Sequence, residues 1–125
     1  MSVGTKQVRQ IETVWSVLAD LTTDFVRKGL EVRQAVTNLG LCKVQINHFR
    51  MHLYNECECS RIQEELFAQA ANELRNLEDF LIINAVNHFG REYADEWTAK
   101  LMFAWTLKPK SYEVRIPQEA YPVPK

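Results

Sequence analysis

All four prolines of this 125-residue chain lie at or after position 109. Proline lacks the backbone donor that a helix needs, so nothing before that point forces a helix to break. Only four glycines punctuate the same stretch. Through it, apolar residues recur at intervals of three and four, the period of one helix face. A chain patterned this way is confined to helices from near its start to its first proline. With 46% apolar residues it can bury one core without disulfide or metal staples.

The spacing predicts four helices. Val8, Ile11, Val14, Trp15, Leu18, Leu21 and Phe25 form one stripe on a helix over 5–28. Arg27 and Lys28 suit its negative end, and Gly29 suits a left-handed ending with Leu30 folded back onto Phe25. Val32, Ala35, Val36, Leu39, Cys42, Ile46, Phe49 and Leu53 predict a second helix over 31–54, weakened at Gly40. Ser60 and Gln63 read as a capping box opening a third. Its stripe is Leu66, Phe67, Ala70, Leu74, Leu77, Leu81 and Ala85, and Gly90 ends it. A shorter fourth carries Tyr93, Trp97, Leu101, Ala104 and Trp105, and Pro109 stops it. Trp15, Trp97 and Trp105 read as core or interface anchors. The expected fold is all-α: an antiparallel bundle of three long helices plus a shorter fourth. The bundle domain is assigned to residues 1–108 and an extended, proline-containing tail to 109–125. In that tail Tyr112, Val114 and Ile116 alternate with Glu113 and Arg115, which is strand spacing.

The second helix has a second apolar face. Leu41, Val44, His48, Met51 and His52 lie roughly opposite the Leu39–Ile46–Leu53 stripe. A helix that is apolar on two sides is sandwiched or carries an interface. Leu41, Val44 and Met51, with Tyr112, Val114 and Ile116 of the tail, are therefore the expected interface residues, and the expected partner is a second copy or another protein.

Chemistry-bearing side chains gather in one segment, Asn47 to Ser60. His48 and His52 are one helical turn apart, and Cys57 and Cys59 follow in a turn. Imidazole and thiolate are the ligands of zinc and similar metals, and i, i+4 histidines can reach one ion. The four residues are a candidate metal set. Against it, Cys-x-Cys is tighter than the usual spacing, and the set lacks two ligand pairs separated by a longer loop. No cofactor is expected, with zinc as the alternative. Cys42 falls on the core stripe as a small hydrophobe. His88 reads as a helix-end residue. No nucleophile elbow, phosphate loop, dinucleotide fingerprint or Glu-x-x-His pair is present, so no sequence feature supports an enzyme.

Composition excludes other classes. Net charge is −1 and no basic block occurs, which argues against a nucleic-acid partner. Charges interrupt every apolar run, so no membrane span is expected. The N-terminus does not read as a signal peptide, and an odd cysteine count fits reduced thiols. A cytoplasmic setting is the expectation.

Two segments carry a resemblance. One runs from Trp15-Ser-Val-Leu-Ala-Asp-Leu through Lys28-Gly29 to Lys43 and Ile46-Asn47. The other is Phe89-Gly90-Arg-Glu-Tyr93-Ala-Asp-Glu-Trp97. Their order and spacing resemble an archaeal family of small helical proteins of unknown function, over roughly the first hundred residues. The resemblance implies a helical protein and adds no chemistry. The family pattern includes no counterpart of Cys57-Glu58-Cys59. The expected function is non-enzymatic: an interaction or scaffolding protein that self-associates. The alternatives are a metal or thiol sensor built on the His/Cys cluster, and a bundle that binds a small ligand.

Overall fold

The computed structural model describes residues 5–55 and 60–106 of the chain. Side chains of Thr5, 52–55 and 60–63 lie outside the description. Four helices follow one another: α1 (Thr5–Arg27), α2 (Arg33–Asn55), α3 (Ser60–Phe89) and α4 (Arg91–Trp105). No strand occurs among the described residues. The strand spacing of Tyr112, Val114 and Ile116 lies outside them.

Side-chain pairs fix the directions. Trp15 Nε1 donates to the Leu39 carbonyl at 2.8 Å, and Arg50 reaches back to Glu12. Rising numbers on α2 therefore meet falling numbers on α1. Phe49 packs edge-on against Phe67, while Cys42 lies by Glu73, so α3 runs antiparallel to α2. Phe89 stacks by Tyr93, and Trp105 Nε1 donates to Glu78 Oε1 at 2.7 Å, so α4 returns along α3. α1 and α3 also touch, with α2 and α4 flanking that pair.

The core is the set of predicted stripes closing on one another. Val8, Ile11, Val14, Leu18, Leu21 and Phe25 of α1 are fully buried, as are Ala70, Leu74, Leu81 and Ala85 of α3. α2 contributes Val32, Ala35, Leu39, Cys42, Ile46 and Phe49. Val36 was expected in this stripe but is 51% exposed. At 100° per residue it stands about 60° from Leu39, past the edge of the buried arc. α4 adds Ala94, Leu101 and Ala104.

Two glycines set the corners. Gly29 has φ +92°, its N–H bonds the Val26 carbonyl, and the Leu30 N–H bonds the Phe25 carbonyl. That pair of bonds is the Schellman ending the sequence predicts. Leu30 packs against the core. Gly90 is the sole residue between α3 and α4. Its N–H closes α3 onto Ala85 and Val86, and its carbonyl accepts the first bond of α4 from Ala94. A φ of 99° with ψ of 165° is a region that is essentially glycine-only.

Polar ties secure the outer helices. Tyr93 Oη donates to Asp24 at 2.5 Å, joining α4 to α1. Burial first, then this bond, lifts the Tyr93 phenol above its usual range. Phe25, Phe89 and Tyr93 form one aromatic cluster with Lys28 over two of its rings. Each tryptophan is half-buried under a cation: Lys43 over Trp15, Lys100 over Trp97, Arg75 over Trp105. Gln10 Nε2 donates to the Trp105 carbonyl and anchors the end of α4 to α1.

Candidate functional site

The expected second face of α2 is open. Leu41, Val44 and Met51 are 61, 66 and 62% exposed, although each lies in a well-formed helix. Val44 and Met51 are seven residues apart, two turns along one stripe, and Leu41 is three before Val44. The helix presents this stripe because its other side is taken by Leu39, Ile46 and Phe49 against the core. His48 is exposed on the same side.

The face continues onto α3. Phe80 is 45% exposed and Ile83 59%. The sequence reading missed both. It followed the buried stripe of α3 and stopped there, although Phe80 and Ile83 are three apart on the other side of that helix. Between the helices lies a cleft of about 380 Å³. Ala35, Leu41, Cys42, Leu77 and Phe80 give it apolar walls, and Gln34, Asn38, Glu73 and Asn76 give it a polar rim.

Cys42 sits at the inner edge of this cleft, 2% exposed. Its Sγ lies 4.0 Å from Glu73 Oε1. Burial, and then the Glu73 charge, push the thiol up to about 11 from its ordinary 9. An activated cysteine has the opposite shift, because the nucleophile is the thiolate. The arrangement keeps Cys42 protonated and packs it as a hydrophobe, as its stripe position implies. Glu73 and Asp79 on α3 have no basic partner among the described residues. A bidentate pair lies elsewhere in the bundle: Arg50 Nε and Nη2 meet the two Glu12 carboxylate oxygens at 2.8 and 2.5 Å. It clamps α2 to α1 from the segment that carries His48.

Of the candidate metal set, only His48 has a described side chain. His52 is in α2 with its side chain outside the description, and Cys57 and Cys59 lie outside the described residues. Among the described residues, no group of three or more His, Cys, Asp or Glu is placed to hold a metal ion. Tyr112, Val114 and Ile116 lie outside the described residues too. α3 begins at Ser60, where the sequence places its start, and the side chains of the predicted Ser60–Gln63 capping box lie outside the description. Among the described residues, no helix is long and apolar enough to cross a membrane.

A family model described as the DUF2096 N-terminal four-helical bundle domain matches residues 11–111. That span runs from the first turns of α1 to just past α4. No curated protein and no solved structure matches the chain.

Proposed function

We propose that this chain, which belongs to the DUF2096 N-terminal four-helical bundle family, is a non-enzymatic interaction module that self-associates through the outer face of α2. One observation carries the reading. Leu41, Val44 and Met51 stand more than 60% exposed in a row on a helix whose other side is already buried. The row runs over eleven residues, a rise of roughly 15 Å of helix. Apolar surface of this kind gains about 25 cal/mol per Å² when covered. A second copy is the favoured cover. A helix stripe is self-complementary when two copies meet about a two-fold axis. A net charge of −1 also sets little repulsion between copies.

An archaeal, cytoplasmic setting rests on the resemblance and on the reduced-thiol reading given above.

Native mass spectrometry of the full chain tests this reading. The expected spectrum is a metal-free dimer. A monomer carrying one zinc per chain, lost on joint substitution Cys57→Ser and His52→Ala, would replace it with the metal-sensor reading. A monomer retaining a small molecule would replace it with the ligand-binding one.

A further inference from the structure

We propose that the α2–α3 cleft is occupied by the C-terminal tail of the same chain, with Tyr112, Val114 and Ile116 against Leu41, Leu77 and Phe80. The end of α4 supplies the first argument. Trp105 bonds Glu78 of α3, so the chain leaves α4 on the flank of the helix that forms one wall of the cleft. The obstacle between the two sides is the body of α3, about 10–12 Å across. From Thr106 to Tyr112 is six residues, which span up to about 20 Å when extended. Tyr112 is thus within reach of the cleft, and Val114 and Ile116 follow along it.

The pattern of the tail matches what the cleft offers. Tyr112, Val114 and Ile116 fall on one side of an extended chain, and Glu113 and Arg115 on the other. The cleft has apolar walls in which Leu41 and Phe80 are 61 and 45% exposed. Its volume of about 380 Å³ is the size of a pocket for a few side chains rather than for a folded partner.

Charge gives an independent argument. Glu73 on the rim, and Asp79 next to Phe80, form no ion pair among the described residues. The tail brings Lys108, Lys110, Arg115 and Lys125 against only Glu113 and Glu119. Lys108 and Lys110 are the residues that would cross α3 beside Asp79. The docked tail would cover Leu41 and leave Val44 and Met51, which lie further round α2 than the cleft, open to a second copy.

Disulfide trapping in the full chain tests it. In a Cys57→Ser/Cys59→Ser background, Asn38→Cys places a thiol on the cleft rim and Val114→Cys places one on the tail. Mild oxidation, non-reducing electrophoresis and peptide mapping then read the link. The expected product is an intramolecular bond from position 114 to position 38, formed at a rate independent of protein concentration. Thr23→Cys on the exposed side of α1, in place of Asn38→Cys, should link on the order of tenfold more slowly. Adding Glu73→Lys and Asp79→Lys should slow the cleft link on the order of fivefold. Asn76→Cys on the α3 wall repeats the test if circular dichroism shows that Asn38→Cys disturbs α2. Bonds only between chains, no bond to the cleft, or equal rates to positions 38 and 23 would overturn the proposal. Sedimentation of the unoxidised sample reads self-association separately.

Discussion

Gly90 and Gly40 are the same residue type under opposite demands, and they make opposite predictions. Gly90 holds φ at 99° in the one-residue corner between α3 and α4. No atom lies within 4 Å of a Cβ built there, so Gly90→Ala meets backbone strain and no clash. It should cost about 1–3 kcal/mol in urea unfolding. Gly40 is exposed in the middle of α2, and its Cβ position is equally open. Gly40→Ala should stabilise by about 0.5–1 kcal/mol, because it removes unfolded-state freedom at no steric cost. Equal signs at the two sites would contradict the backbone description. Cys42 gives a pH prediction. Burial holds its folded value near 11 and the unfolded thiol titrates near 9. The protonated form is the one the fold favours. The stability linked to it is complete below about pH 9 and is lost as pH rises toward about 11. The stability gap between the wild type and Cys42→Ala should therefore narrow from pH 8 to pH 11. An unchanged gap would show that Cys42 ionises as freely in the fold as out of it.

At the scale of elements, the sequence was most legible where one face alone is buried. α1 shows this best, since every residue of its predicted stripe from Val8 to Phe25 is buried apart from half-buried Trp15. The helix ends were legible too, through Gly29, Gly90 and Ser60, because each needs a particular backbone or cap. α2 was legible in its buried stripe from Val32 to Phe49 except at Val36, while the predicted Leu53 side chain lies outside the description. Val36 obeys the three-and-four rule but falls just outside the arc that α1 and α3 cover. Ala94 and the Phe80–Ile83 pair escaped the reading for related reasons. A small residue gives a weak hydrophobic signal, and an apolar pair off the main stripe is visible only once the neighbouring helices are placed. The polar ties were not legible at all, since Tyr93 and Asp24 are far apart in sequence and meet only in the fold. Tyr93→Phe removes the bond from α4 to α1. Asp24 would keep Arg27 at 3.7 Å and Lys28 at 4.0 Å, so it is not stranded. The cost should be about 1 kcal/mol in urea unfolding. A loss above about 3 kcal/mol would mean that this bond alone holds α4 in place.

At the scale of the molecule, four helices use one side each to build the core, and α2 and α3 keep further apolar residues outside it. α4 packs against α1 and α3, on the far side of the bundle from α2, and so leaves them uncovered. The candidate interface was thus legible in part: Leu41, Val44 and Met51 from their spacing, Phe80 and Ile83 only from the packing. The proposed dimer joins two copies through this face. Sedimentation equilibrium of the wild type beside Val44→Glu/Met51→Glu tests it most directly, because both side chains are exposed and their replacement leaves the core intact. Self-association through this face gives a dimeric wild type at tens of micromolar and a folded, helical monomer for the double variant. A wild type that stays monomeric at high micromolar concentration, or a double variant that stays dimeric, would contradict it.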